Sequence, residues 1–271
     1  MNGFRTDLAA EELPQGGGQL PGVTSRSFDE HGFSVTEVRV LDEAGANALH
    51  KPVGRYVTMD VESFFRREED SFSRAVSVLS EQIRLLTPLG EDESVLVAAL
   101  GNPDITPDAV GPQTSSYVLA TRHLRGLPGA DFSFLRPVSV FRTGVLGTTG
   151  IESAALVRML AESISPALVV VIDALATRSS DNLCRTVQLS DSGIVPGSGV
   201  GNDRAELSVR VLGIPVIAIG VPTVVDAGDG LIITPREIDR YVKDAGKLIA
   251  HALNLAFHPR LTISDLDMFV G

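Results

Sequence analysis

The chain has 271 residues, of which 44% are hydrophobic and 21% are charged, and its formal net charge at pH 7 is −11. This length allows one large α/β domain or two small ones, and the composition is typical of a globular protein rather than a disordered one. The acidic excess disfavours nucleic-acid binding, because the recognition of phosphate groups needs a clustered basic surface.

The cysteine count and the apolar segments bear on the compartment. Cys184 is the only cysteine, which excludes an internal disulfide and a zinc site made of cysteines alone. The N-terminus has no apolar segment of the signal-peptide kind, and the apolar runs of the chain are far too short to span a bilayer. We therefore predict a cytoplasmic protein that does not enter a membrane.

The first ninety residues are predicted to contain two strands and a helix. Residues 1–34 are polar and rich in glycine, so mostly irregular structure is expected there. Segments 33–41 and 55–61 alternate apolar and polar residues, which predicts half-buried strands. From Ser73 onward apolar residues recur at helical spacing, and Pro88 ends the predicted helix.

Short apolar runs alternate with helical segments from Ser94 onward. The runs predict buried strands over 94–100, 137–141, 167–172 and 215–219. Helices are predicted over about 113–126, 151–164 and 236–257. Apolar runs without alternation, separated by helices, favour an α/β fold with a mainly parallel sheet that is covered on both faces.

Ligands of such sheets bind beyond the carboxyl ends of the strands, which places the candidate site just after Leu100, Ile172 and Ile219. Asp108 belongs to a loop of glycines, prolines and aspartates that follows Leu100, and Asp173 directly follows Ile172. A buried carboxylate is costly unless it is hydrogen-bonded or shares a proton with a neighbour. Either aspartate alone is more readily explained as a helix cap or a turn residue, but two at neighbouring strand ends favour chemistry.

Other motifs predict neither a cofactor nor a metal ion. The loop 191–202 contains Gly197, Gly199 and Gly201, but it lacks the lysine of a P-loop, and we interpret it as a loop that shapes a substrate site. The five histidines show no metal-ligand spacing. Cys184 begins an apolar-alternating segment and is predicted to be a buried structural thiol.

A set of motifs, taken in order along the chain, resembles the germination protease family of spore-forming bacteria, whose members are atypical aspartic endopeptidases. The motifs span 5–9 (RTDLA), 100–102, 106–112 (TPDAVGP), 121–124, 136–139, 144–152 (GVLGTTGIE), 173–176 (DALA), 194–202 (IVPGSGVGN), 212–227 and 233–237. The resemblance extends over most of the chain.

This resemblance implies a site, a fold and a substrate. The family's two catalytic aspartates fall on Asp108 and Asp173, and no metal or cofactor is implied. The fold is expected to be a three-layer α/β sandwich similar to that of the hydrogenase-maturation peptidases (phosphorylase/hydrolase-like). The expected substrates are small acid-soluble spore proteins, degraded during germination in the spore core. The expected assembly is a homo-oligomer, commonly a tetramer.

The resemblance also gives an expected organisation, with one germination-protease domain over 1–271. We divide it into an irregular segment, a β-rich region with a helix, an α/β catalytic core and a C-terminal tail, over 1–30, 31–90, 91–258 and 259–271.

Two departures from the family pattern concern chain length. Residues 228–230 stand where typical members carry a long insertion, and only four residues precede Arg5. Family members are made as zymogens with an N-terminal pro-segment. We therefore expect no sizeable pro-segment and control by other means, such as low pH; a start codon placed too far downstream is the alternative.

The family is expected to cut beside an acidic residue, and binding such a residue in a protein of charge −11 calls for a local cation. The arginines in or beside the motifs are Arg122, Arg136, Arg142, Arg178, Arg185 and Arg204. Two alternative functions remain open from the residues: a metal-dependent peptidase of the same fold and a non-catalytic binding protein.

Overall fold

The structure is a computed structural model that describes residues 5–14, 16, 18–87, 89–90, 92–125, 127, 132–201, 204–227 and 231–270. The two chain-length departures rest on residues 1–4 and 228–230, which lie outside the described residues.

Within the described residues nine strands form one sheet. The strands are β1 (Val23–Glu30), β2 (Phe33–Val40), β3 (Gly54–Asp60), β4 (Val95–Leu100), β5 (Val138–Gly144), β6 (Leu168–Thr177), β7 (Thr186–Ser190), β8 (Val216–Asp226) and β9 (Ile232–Ile233). Their order across the sheet is β1-β2-β3-β7-β8-β6-β4-β5, and β9 pairs with the end of β8.

Helices connect and cover these strands. The α-helices are α1 (Glu43–Leu49), α2 (Glu62–Phe65), α3 (Ser71–Leu86), α4 (Val110–Ser115), α5 (Leu146–Thr149), α6 (Ser153–Ile164), α7 (Val209–Leu212), α8 (Ile238–Phe257) and α9 (Ile263–Val270). Single 3-10 turns occur at Ala9–Glu12, Thr106–Asp108, Arg122–Leu124 and Ser198–Val200.

The predicted α/β fold is confirmed, and the four predicted apolar runs form its parallel part. Strands β8, β6, β4 and β5 are parallel neighbours. Strands β1, β2, β3 and β7 continue the same sheet with antiparallel pairing. The sheet is therefore mixed, and the β-rich region of the first ninety residues extends the sheet of the core.

Helices pack on both faces of the parallel strands, which makes the predicted three layers. On β4, Val97 faces the cluster that includes α3, α4 and α8, whereas Leu96 and Ala98 face the cluster that includes α6. Neighbouring residues of a strand point to opposite faces, so a strand covered on both sides is apolar throughout. This geometry explains why all six residues of β4 are buried.

The expectation of mostly irregular structure over 1–34 is wrong for one long segment. Strand β1 pairs along its whole length with β2, from Val23 opposite Val40 to Glu30 opposite Phe33. Most of its side chains are exposed, because β1 lies at the edge of the sheet. An exposed edge strand has no apolar alternation, so the sequence pattern does not reveal it.

The helix predicted over 113–126 is also wrong in extent, since α4 ends at Ser115. Beyond it the chain turns and pairs with β5: the Thr121 amide donates to the Val138 carbonyl over 2.9 Å. The Val138 amide in turn donates to the Thr121 hydroxyl over 3.0 Å. These bonds to a neighbouring strand replace the i to i−4 bonds that a longer helix would need.

Three of the predicted strands, β5, β6 and β8, continue past their predicted ends, and the extension of β6 and β8 changes the position of Asp173. Strand β4 stops at Leu100, with Ala99 opposite Ile172. Strand β6 runs on to Thr177 and stays paired with β8, so that Asp173 lies opposite Gly220. Asp173 is therefore part of β6 rather than of a loop after it, and it directly follows Ile172, the last residue of β6 that pairs with β4.

Candidate active site

A cleft of about 650 Å³ opens at the carboxyl end of β4, and both Asp108 and Asp173 line it. Asp108 comes from the 3-10 turn after β4, and Asp173 comes from β6. The structure thus brings the two sequence-predicted site residues to one cleft.

The loop that carries Asp108 is fixed by bonds to its own backbone. The Asn102 amide donates to the Asp108 carboxylate over 2.8 Å, and the Asp108 amide donates to the Ile105 carbonyl over 2.8 Å. Gly101 has a φ of +105°, and a Cβ there would lie 1.9 Å from the Asp108 carbonyl oxygen. Only glycine lets the chain turn this closely against the aspartate.

Two further hydrogen bonds tie the same loop to the body of the protein. The Thr223 hydroxyl in β8 donates to the Pro107 carbonyl over 2.7 Å. The Thr106 hydroxyl donates to the Asp239 carboxylate, in the first turn of α8, over 2.9 Å. The position of Asp108 therefore depends on elements more than a hundred residues away in the chain.

Asp173 is only 5% exposed, and its carboxylate accepts the Ala174 amide over 2.9 Å. Helix α4 crosses closely above the strand ends at this point. A Cβ on Gly111 would lie 2.2 Å from the Leu100 carbonyl oxygen and 2.8 Å from that of Ile172. The helix and the sheet together thus exclude most solvent from the Asp173 side chain.

The two carboxyl groups differ in how strongly they resist ionisation. Burial raises the pKa of Asp173 well above its ordinary value, and the nearby negative charges of Asp108 and Asp7 raise it further. Burial also raises the pKa of Asp108, but the bond from the Asn102 amide opposes this. Of the two carboxyl groups, Asp173 is therefore the one whose protonated form is favoured more strongly.

A third carboxylate, Asp7, lines the same cleft and is absent from the sequence-predicted site. It accepts the Ala176 amide and the Ser198 hydroxyl, each over 2.8 Å. The signal for Asp7 in the sequence is its place in the RTDLA motif at 5–9. This motif is far from Asp108 and Asp173 along the chain, so the sequence alone does not show that Asp7 lies in the same cleft.

The glycine-rich loop also borders the cleft through Pro196, Gly197 and Gly199. A Cβ on Gly199 would lie 2.2 Å from the Asp7 carboxylate. The glycine at this position thus allows a close approach to Asp7.

Among the six candidate arginines, Arg204 alone lies in the described lining of the cleft. Its guanidinium is 4.0 Å from the Glu152 carboxylate, which also lines the cleft. The rim is apolar and includes Ile105 and Ile232, which are 54% and 50% exposed. The cleft thus offers one buried carboxyl group, three partly exposed ones, the cation Arg204 and apolar side chains at its border.

The remaining sequence interpretations concern metal ions, Cys184 and membranes. Within the described ranges, no three His, Cys, Asp or Glu side chains gather so that they could hold a metal ion. Cys184 is buried, as predicted, and burial raises the pKa of its thiol to about 12. No helix in the described part of the chain is long and apolar enough to cross a membrane.

Comparison with known proteins decides the family. The sequence matches the family described as germination protease over residues 6–230. The chain belongs to the germination protease family. It is therefore a protease, and the family acts in spore germination. The region of this germination protease that matches the family includes four charged cleft residues discussed above, Asp7, Asp108, Asp173 and Arg204.

Several named germination proteases are similar to this chain over much of their length. That of Caldanaerobacter subterraneus subsp. tengcongensis is 38% identical, covering 99% of this chain and 98% of the relative. That of Clostridium perfringens strain 13 is 35% identical, covering 100% of both chains. That of Bacillus cytotoxicus is 42% identical, covering 90% of this chain and 68% of the relative.

A solved structure is also similar in part. It is a [NiFe] hydrogenase maturation protease, HycI, from Thermococcus kodakarensis, with 17% sequence identity and a TM-score of 0.38. The similarity covers 64% of this chain and 98% of that one.

Proposed function

We propose that this member of the germination protease family is an aspartic endopeptidase that cleaves small acid-soluble spore proteins in the spore core during germination. The observation that carries the proposal is the placement of Asp108 and Asp173 in one cleft, with Asp173 almost fully buried. Two close carboxyl groups that share one proton can act together as a base and an acid.

The reaction needs a water molecule between the two carboxyl groups and the substrate carbonyl. Asp108, as the ionised partner, takes a proton from the water molecule, and the oxygen of that water attacks the carbonyl carbon of the substrate. Asp173 polarises the carbonyl with its proton and then protonates the departing amine, so that the carbon–nitrogen bond breaks. The pair holds one proton at the end, as at the start, now on Asp108, and no covalent intermediate forms.

Arg204 is the residue that we expect to bind an acidic substrate side chain. It lies in the cleft with the aspartates, and its separation of 4.0 Å from Glu152 leaves it free to rearrange toward a substrate carboxylate. The other candidate arginines are engaged or lie elsewhere: Arg136, for example, donates to the Gly90 and Glu93 carbonyls over 2.7 and 2.6 Å.

The test is cleavage of a purified small acid-soluble spore protein, with the cut identified by mass spectrometry. Asp108→Asn and Asp173→Asn should each abolish cleavage, because each removes one half of the acid–base pair. Asp29→Asn is the matched control, since Asp29 is exposed near the end of β1, where its carboxylate accepts the amide of Gly32 in the following turn over 3.0 Å. Near-normal cleavage by either active-site variant would contradict the mechanism.

Two further arms distinguish the alternatives. Loss of activity with a chelator and its recovery with a divalent ion would indicate a metal-dependent peptidase. Binding of the spore protein without any cleavage would indicate a binding protein. Light scattering in solution tests the expected homotetramer separately from the chemistry.

A further inference from the structure

Asp7 connects three parts of the chain at the edge of the cleft. Its amide donates to the Ala176 carbonyl over 2.9 Å, and its carboxylate accepts the Ala176 amide over 2.8 Å. Its carboxylate also accepts the Ser198 hydroxyl over 2.8 Å. The segment after Asp173 and the glycine-rich loop are thus both bonded to one side chain.

The segment around Asp7 is itself held firmly by neighbours that do not touch the aspartate pair. Leu8 is fully buried, and the Lys51 ammonium group donates to the Thr6 carbonyl over 2.8 Å. The Gln188 side-chain amide donates to the Asp7 carbonyl over 3.0 Å and accepts the Ala9 amide over 2.8 Å. These anchors are independent of the Asp7 carboxylate, so replacing that group should leave the segment in place.

The charge of Asp7 also acts on Asp173. The charged groups in the cleft with Asp173 are Asp108 from the turn after β4, Asp7 from the N-terminal segment, Glu152 before α6 and Arg204 beside the glycine-rich loop. After burial and the charge of Asp108, the charge of Asp7 contributes to the raised pKa of Asp173. A negative charge near a carboxyl group favours its protonated form.

We propose that Asp7 is a positioning residue of this active site, which joins the strand after Asp173 to the glycine-rich loop and places a fixed negative charge beside the aspartate pair. This inference rests on the proposed two-aspartate mechanism. Asp7 acts through Asp173 and does not contact the reacting atoms. The N-terminal segment is therefore a part of the active site, although it lies about a hundred residues before Asp108.

The test is the pH dependence of kcat/KM for Asp7→Asn, with the wild-type protein as reference. Asparagine keeps an oxygen acceptor of similar size but removes the charge. The pKa of Asp173 should then fall, so its protonated form is lost at lower pH. We expect the alkaline limb of the profile to move to lower pH. A purely structural role would lower kcat without moving this limb.

The control variant Asp29→Asn and the two active-site variants separate the possible outcomes. Asp29→Asn removes a charge far from the cleft and should leave the alkaline limb in place. An unmoved limb in Asp7→Asn would overturn the inference even if Asp108→Asn and Asp173→Asn are inactive. Activity in those two variants would instead overturn the mechanism and the inference together.

If Asp7→Asn does not fold, Ser198→Ala tests the bonding role alone. It removes one bond to Asp7 and leaves its charge, so we expect kcat to fall about tenfold with an unchanged alkaline limb. Wild-type kcat in Ser198→Ala would then contradict the role of Asp7 in holding the glycine-rich loop.

Discussion

Thr223 in β8 donates a hydrogen bond from its hydroxyl to the carbonyl of Pro107, the residue directly before Asp108, over 2.7 Å. Thr223 is itself held, because the Thr234 hydroxyl donates to the Thr223 carbonyl over 2.9 Å. A strand near the centre of the sheet therefore sets the position of the loop that carries one of the two cleft aspartates.

Thr223→Val should lower kcat as well as the free energy of unfolding. The substitution keeps the shape of the side chain but leaves the Pro107 carbonyl without this donor, which costs about 1 kcal/mol of unfolding free energy. We expect kcat to fall about tenfold because the Asp108 loop loses its position relative to Asp173. Steady-state kinetics and urea unfolding measure the two effects.

Thr87→Val is the matched control for this prediction. The Thr87 hydroxyl donates to the Ile83 carbonyl over 2.8 Å at the end of α3, outside the lining of the cleft. It should lose a similar amount of stability with an unchanged kcat. Equal kcat values for the two variants would show that the Thr223 bond does not position Asp108.

Arg204→Ala should change the substrate preference. Without the guanidinium, all charged groups in the described lining of the cleft are carboxyl groups, so kcat/KM for the acidic substrate should fall about tenfold or more. A substrate with glutamine in place of the acidic residue should be cleaved equally well by both proteins. The comparison of the two substrates measures the effect.

Arg66→Ala is the control for Arg204, because Arg66 is a solvent-exposed arginine paired with Glu62 and lies outside the lining of the cleft. It should leave the ratio of the two kcat/KM values unchanged. If Arg204→Ala has the same ratio of the two kcat/KM values as the wild type, a residue other than Arg204 binds the acidic side chain of the substrate.

Asp173→Asn should stabilise the protein at high pH. The folded-state pKa of Asp173 lies above its unfolded value, so its protonated form contributes stability at low pH, and this contribution is lost as the pH rises through the folded-state pKa. Asparagine does not ionise and escapes this loss. We expect the free energy of unfolding at pH 8 to be higher for the variant than for the wild type.

The measurement is urea unfolding at pH 8 and at pH 4. The difference between variant and wild type should narrow at pH 4, where the wild-type carboxyl group is protonated in the folded state and about half protonated in the unfolded state. A difference that is the same at both pH values would mean that Asp173 is not held in its neutral form by the fold.

The sequence by itself determined the elements whose side chains follow a clear period. The strand over 33–41 and the helix from Ser73 appear as β2 and α3, because burial on one face or one stripe imposes a period of 2 or 3.6. It also determined Asp108 and Asp173 as candidates, since burying a carboxylate after an apolar strand costs free energy unless the group is hydrogen-bonded or shares a proton.

Only the tertiary structure decided what surrounds those two residues. Strand β1 pairs with β2 through its backbone, and its exposed side chains show no pattern. Asp7, Thr223 and Arg204 reach the cleft from three distant parts of the chain. Their places depend on bonds such as that from the Ala176 amide to Asp7, which join residues 169 positions apart. Local periodicity reports burial, but it does not report which distant groups meet.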